Sequence, residues 1–421
     1  MNLRRLVRAL AASTVIALAG ISAPAAAGDP TATRAAPDRE RTRMNQRVFD
    51  RVWSEVRQQY YDPRLHGVDW SAARRTFRPQ AVAAPDDRAL YRALGDMLRL
   101  LDDDHAGVAP PAAARRQDRL RDRRPVIGVL LRPDRAREGD WVIEQVRADS
   151  PAAEAGVSVG WRLRIDGDGW TPEQEVVEGR PVTLSLVDDD GDVRPLTLFP
   201  RLMEPRPAFV ADRSRPGVLV LTVEGFEAGL GRWMGDQLAG LPPETDVVID
   251  LRGNSGGRLM EADAVLSCFL PHDRTWASRT GRSGRAIELR TGGGCGDLAG
   301  PIANEVAVLV DANSRSAAEL TPAALQEASR ALVVGAPTAG SVLISQESQL
   351  PDGGRLTLSR ADFVTAGGVR LEKRGVTPDI AAPSSLEDRR TGRDPGLEAA
   401  LAALAGAQVQ PSMALGAAPA I

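Results

Sequence analysis

"DVVIDLRGNSGG" (Asp246–Gly257) runs an apolar strand straight into a sharp turn. Val247, Val248 and Ile249 form an uninterrupted apolar run, the pattern of a strand covered on both faces. Gly-Asn-Ser-Gly-Gly follows at once, so the backbone must turn through positive φ where the strand ends. The same alternation repeats on either side. "GVLVLTVEGF" (217–226), "EVAVLVDANS" (305–314) and "RALVVGAPT" (330–338) read as strands. "GRWMGDQLAGL" (231–241), "EADAVLSCFL" (261–270) and "AAELTPAALQEA" (317–328) read as helices between them. Strands alternating with helices predict an α/β domain with a largely parallel sheet over residues 205–385.

Upstream the pattern changes. "RVFDRVWSEVRQQYYD" (47–62) places Val48, Phe49, Val52, Trp53, Val56 and Tyr60 at helical spacing, and Asp62-Pro63 ends that helix. "DDRALYRALGDMLRLL" (86–101) places Leu90, Leu94, Met97, Leu98 and Leu101 on one helical face before the turn "DDDHAG". Residues 44–120 thus read as a helical subdomain. "PVIGVLL" and "WVIEQV" suit short strands, "SPAAEAG" a short helix closed by Gly156, and Asp190-Gly191 a hairpin turn. These predict a compact mixed domain over 124–200.

The ends have different chemistry. Arg4, Arg5 and Arg8 precede an apolar run of about a dozen residues, and Ala25-Ala26-Ala27 offers a small-residue cleavage site. Residues 1–27 are expected to be a signal peptide, giving a periplasmic or secreted chain with no membrane span once matured. Residues 28–43 are expected to be disordered, and 386–421 a poorly ordered Ala/Pro-rich tail.

The chain has 421 residues, a net charge of −3 and no long basic run, which argues against nucleic-acid binding. No metal spacing appears, and no cofactor motif is present. Cys268 and Cys295 are the only cysteines and can pair in an oxidising compartment. Lysine and arginine total 53, yet Lys373 is the single lysine, so a lysine base has one possible source.

Two turns can carry chemistry. At "NSRSAAELTPAALQ" (313–326) a strand delivers Ser316 to the start of a helix. The free N–H of Ala317 and the positive end of the helix dipole face the same space there. Amides at Gly256 and Gly257, with no side chain to block approach, can act as further oxyanion donors. The alternative is that Ser314 or Ser316 is only an N-cap, with Glu319 completing a capping box.

At these motifs the sequence resembles the C-terminal processing peptidases, or tail-specific proteases, and their tricorn-like relatives. "IDLRGNSGG", "SAAE" and "RGVTPDI" stand in that family's order, and "IGVLL…SPAAEAGVSVGWRL" resembles its inserted PDZ domain. The resemblance implies a ClpP/crotonase-like catalytic domain, an N-terminal helical part and a serine endopeptidase acting on protein or peptide substrates. Ser316 falls on the nucleophile position. The main branch pairs that serine with a lysine, but "APTAGSVL" (336–343) has Ser341 there, and Glu327 stands where an aspartate is usual. A Ser-Lys dyad at this position is excluded. The tricorn-like branch instead implies His105 of "DDDHAG" as base and Glu372 of "VRLEKRG" as its orienting carboxylate, with Asp104, which replaces the serine expected before the histidine, as the alternative holder of the imidazole. Lys373 is the rival base. In the PDZ-like segment a peptide would add as a strand beside Ile127, Gly128 and Val129, with Trp161 replacing a more usual aspartate. The competing function is a degenerate, peptide-binding relative that lacks hydrolysis.

Overall fold

The computed structural model describes residues 39–118, 123–133, 140–165, 170–172, 174 and 176–409. The expected signal peptide and residues 28–38 lie outside the described residues, as do 410–421 of the expected tail.

Three helices come first: α1 (Arg39–Gln59), α2 (Trp70–Val82) and α3 (Asp87–Arg99). β1 (Gly107–Ala109), α4 (Pro111–Asp118) and β2 (Arg124–Val126) lead into an antiparallel insertion. It comprises β3 (Val129–Pro133), β4 (Trp141–Val146), α5 (Pro151–Glu154), β5 (Arg162–Arg164), β6 (Val182–Val187) and β7 (Val193–Leu198). β8 (Arg201–Met203) pairs back with β2 and closes it. Then follow β9 (Phe209–Asp212), β10 (Val218–Val223), α6 (Leu230–Leu238), β11 (Asp246–Asp250), α7 (Leu259–Ser267), β12 (Thr275–Gly281) and β13 (Ala286–Arg290). The chain continues through β14 (Val306–Val310), α8 (Ala317–Glu327), β15 (Leu332–Gly335), β16 (Ile344–Gln349) and β17 (Arg355–Thr365). β18 (Ile380–Ala381), α9 (Leu386–Thr391) and α10 (Pro395–Val409) end the described chain.

The central sheet has the order β18-β15-β14-β11-β10-β9, parallel except at β9. Alternation along each strand explains its two covers. Leu219, Leu221, Val247, Ile249, Val306 and Val308 face the core shared with α6, α7 and α8, whereas Val220, Val248, Ala307 and Leu309 face α10. The parallel α/β expectation is therefore borne out.

Two expectations about the ends need correction. Helix α1 starts at Arg39 inside the stretch expected to be disordered, because Arg41 pairs with Asp87 at 2.9 Å and Asn45 Nδ2 donates to Ala84 O at 3.0 Å. The supposed loose tail contains α10. Asp394 caps it, accepting from Leu397 N–H at 3.0 Å, Pro395 occupies its first position, and Leu397, Ala400 and Leu404 are buried on the sheet. Small alanines let this helix lie close to the strands, a fit that composition alone does not reveal. Arg252, at the end of β11, joins both carboxylate oxygens of Asp394 at 2.7 and 2.8 Å. The two cysteines are joined as a disulfide across a separation of 27 residues, tying α7 to the 292–300 loop.

The helical subdomain packs where the site needs it. Val48, Phe49, Val52, Val56, Tyr60, Leu90, Leu94, Met97, Leu98 and Leu101 share a core with Leu343, Leu350, Leu356 and Leu358 of the β16–β17 region. β1 then pairs antiparallel with β17, Gly107 opposite Thr357. That pairing fixes the chain two residues after His105.

Leu404 is 1% exposed beneath the central sheet. Leu404→Ala is expected to cost about 2–5 kcal/mol of unfolding free energy, measured by denaturant titration, whereas a loosely attached tail would give no measurable change.

Candidate active site

The end of β11 and the end of β14 are stitched together before any catalytic group is considered. Asp311 Oδ1 accepts the N–H groups of Gly253, Asn313 and Ser314 at 3.0, 2.9 and 3.1 Å. Ser314 Oγ donates to Leu251 O at 2.8 Å. Asn254 is fully buried; its Nδ2 donates to Val223 O at 2.7 Å and its carbonyl accepts Arg315 N–H at 2.9 Å. The sequence reading missed Asn254 and Asp311, although their place in the two strand-to-helix turns was the available signal; Ser314, weighed as an N-cap, instead ties the two turns together.

Ser316 stands at the N-cap of α8 with φ 53° and ψ −120°. Such a backbone costs a non-glycine residue about 1–3 kcal/mol and persists only where neighbours hold it. The holding group is Glu319, fully buried, whose Oε2 accepts Ser316 N–H at 3.1 Å. The capping-box reading is therefore correct for Glu319, and it coexists with the presentation of a half-buried Ser316 in a strained turn. Glu319 also accepts Gly340 N–H at 2.6 Å, Ser341 N–H at 2.8 Å and the Thr338 hydroxyl. One carboxylate thus binds the serine turn to the 338–341 segment.

Gly256 departs from expectation. Its N–H donates to Asn254 Oδ1 at 2.7 Å and is not free to serve an oxyanion in this structure. Its glycine character answers a steric need instead: at φ +94°, a Cβ would stand 2.7 Å from Ser316 Cβ and 3.1 Å from Ala317 N. Gly257 is exposed, and neither its N–H nor that of Ala317 donates to another group among the described residues. Those two amides are the available donors.

His105 arrives on the turn between α3 and β1. Its N–H donates to Asp103 Oδ1 at 2.8 Å, and its Nδ1 lies 3.3 Å from Ser341 Oγ. Ser341 O in turn accepts Ser316 N–H at 2.8 Å. No direct hydrogen bond joins Ser316 to His105 among the described residues; Ser341 bridges them. Catalytic pairs are commonly this loose before substrate closes the site. His66 lies outside the site yet supports the turn: its Nδ1 is 2.7 Å from Leu101 O, and its Nε2 is 2.8 Å from Tyr61 Oη.

The carboxylates divide differently from expectation. Glu372 is buried and its Oε2 accepts Val342 N–H at 2.9 Å, so it holds the residue after Ser341; no hydrogen bond joins it to His105 among the described residues. Burial pushes its pKa up, partly offset by that N–H. Asp104 is committed to Lys373 Nζ at 3.0 Å. Asp103, missed in the sequence reading, is buried beside His105 and accepts its backbone N–H. Lys373 is engaged by Asp104: despite desolvation, that bond holds the amine above its ordinary pKa, which removes it as a neutral base. Glu327, in the aspartate's usual place, accepts Gly367 N–H at 3.0 Å and the Thr365 hydroxyl, away from this cluster.

Burial pushes the His105 pKa below histidine's ordinary value, opposed by Asp103. A base is lost on protonation, so a lowered pKa preserves it further into acid. The acid limb of kcat/KM is expected below pH 6.5, the ordinary histidine value. A limb above 6.5 in a pH–rate profile would contradict this environment for the base.

In the insertion, Gly128 has φ +91°, and a Cβ there would fall on Ser150. Gly128 O accepts Arg147 N–H at 2.9 Å and Ile127 O accepts Ala152 N–H at 3.0 Å. Val129 opens β3, the edge strand of the order β3-β4-β5-β6-β7. Asn313 Nδ2 donates to Glu144 Oε1 of β4 at 3.1 Å, a contact between this insertion and the serine turn.

Comparison with known proteins agrees with this layout. Residues 217–382 match peptidase family S41, and residues 42–99 match the tricorn protease C1 domain. A carboxy-terminal-processing protease of Bartonella bacilliformis is 27% identical over 335 residues, covering 75% of each chain. Tricorn protease homolog 1 of Streptomyces coelicolor is 27% identical over 406 residues, covering 87% of this chain and 35% of the relative. The solved photosystem II D1 C-terminal processing protease shares the fold, with a TM-score of 0.57 at 23% identity over 80% of this chain and 93% of that one. The chain therefore carries a peptidase family S41 domain behind a tricorn protease C1 domain, and it is a serine-type peptidase.

Proposed function

We propose that the protein is an exported endopeptidase that cuts protein substrates through an acyl-enzyme on Ser316, with His105 as base. One observation carries the reading: the 338–341 segment touches both groups, through Ser341 O to Ser316 N–H and through Ser341 Oγ to His105 Nδ1. Ser316 Oγ attacks the peptide carbonyl while neutral His105 takes its proton. The tetrahedral oxyanion is met by the N–H groups of Gly257 and Ala317 at the start of α8. The leaving amine takes the proton back from His105, and water, activated by the same imidazole, releases the acyl group. Asp103 supplies the negative potential that steadies the imidazolium. Glu372 acts one step removed, by fixing the 341–342 backbone.

Export rests on the N-terminal thirty residues as read from sequence, and a disulfide suits the oxidising compartment they imply. The β3–β7 insertion is assigned a PDZ-like role, with substrate pairing along the open edge of β3 and its terminal carboxylate near Ile127-Gly128.

Hydrolysis of an unfolded protein by the mature chain tests the assignment. Ser316→Ala and His105→Ala are each expected to lower the rate by about 10³-fold or more, while Lys373→Ala retains most activity. Cleavage that survives in His105→Ala but vanishes in Lys373→Ala would move the base to lysine. No cleavage by the wild type would favour the peptide-binding alternative.

A further inference from the structure

We propose that Ser341, which occupies the place where the lysine branch has its base, is the positioning residue for His105. Its hydroxyl accepts a hydrogen bond from Nδ1–H, so that Nε2 is left unprotonated for Ser316. This inference rests on the reading of His105 as base.

A neutral imidazole carries one N–H, and the hydrogen-bond partner of each nitrogen decides which one holds it. The neighbour of Nδ1 is Ser341 Oγ at 3.3 Å. A hydroxyl can donate or accept, so the distance alone permits two tautomers. Donation from Ser341 to Nδ1 would put the proton on Nε2 and leave the site without a base. Acceptance by Ser341 leaves Nε2 free and gives the imidazolium, once formed, an acceptor for its Nδ1–H.

The backbone of Ser341 suits a fixed reference point. The residue is 3% exposed, its N–H is held by Glu319 Oε2 at 2.8 Å, and its carbonyl is held by Ser316 N–H at 2.8 Å. Gly340 and Val342 on either side are anchored on Glu319 and Glu372 at 2.6 and 2.9 Å. The acid beside the imidazole, Asp103, is bonded to the His105 main chain rather than its ring. Asp104 faces Lys373. Among the described residues Ser341 is thus the one side chain hydrogen-bonded to the ring.

The chain has three histidines, so nitrogen-15 spectra of the ring are tractable, and His105→Ala identifies the signal that belongs to His105. Spectra taken with the imidazole neutral are expected to show the Nδ1–H tautomer in the wild type. Ser341→Ala is expected to mix the tautomers, lower kcat about 10–100-fold and leave KM within about twofold. That loss is smaller than the roughly 10⁴ that follows removal of an ionised orienting acid. Ser341→Thr, which keeps the hydroxyl, is expected to restore the tautomer. A wild-type His105 in the Nε2–H form overturns the proposal, as does a Ser341→Ala protein with unchanged tautomer and kcat. Retained activity in His105→Ala would defeat the base assignment instead, and the spectra would still report the hold of Ser341 on the ring.

Discussion

A single buried carboxylate organises this site. Glu319 has no exposed surface and receives the N–H groups of Ser316, Gly340 and Ser341 together with the Thr338 hydroxyl. Hydrogen bonds to an ionised group contribute about 1.5–3 kcal/mol each, and an unpaired charge at such a depth is prohibitive. The four donors therefore have to converge, and in converging they force the end of β14 and the loop after β15 into contact. The positive φ of Ser316 is a result of that constraint. Local strain at the serine is held by electrostatics one turn further along α8.

The second half of the arrangement comes from far away in the chain. Helices α1 and α3 bury their apolar faces against β17 and the leucines that flank β16, and β1 adds itself to β17. This docking carries the 102–105 turn to Ser341, and the Lys373–Asp104 ion pair closes the turn against the loop that bears Glu372. Hydrophobic burial sets the approach, and polar contacts set the final few ångströms. The only lysine of the chain joins the two loops through an exposed ion pair, a weak contact beside the apolar packing.

Much of this was legible in the sequence. Strand and helix alternation gave the parallel sheet because strands buried on both faces must be continuously apolar. The landmarks around Gly256, Ser316 and Glu372 gave the loops that meet. Partner choice was less legible. Gly256 reads as an amide donor until Asn254, two residues earlier, is seen to occupy its N–H. Asp103 and Asp104 are adjacent acids of the same type, and only the fold sends one inward to His105 and the other outward to Lys373. Helix α10 was misread because alanine-rich composition fits both a loose tail and a close-packed cover.

Activation of Ser316 by His105 is the step on which the proposed mechanism depends. Labelling the intact protein with a fluorophosphonate, then locating the adduct by mass spectrometry, tests it most directly. One adduct is expected, on Ser316, forming far more slowly when His105 is alanine. An adduct on another serine, or equal labelling rates with and without the imidazole, would contradict it.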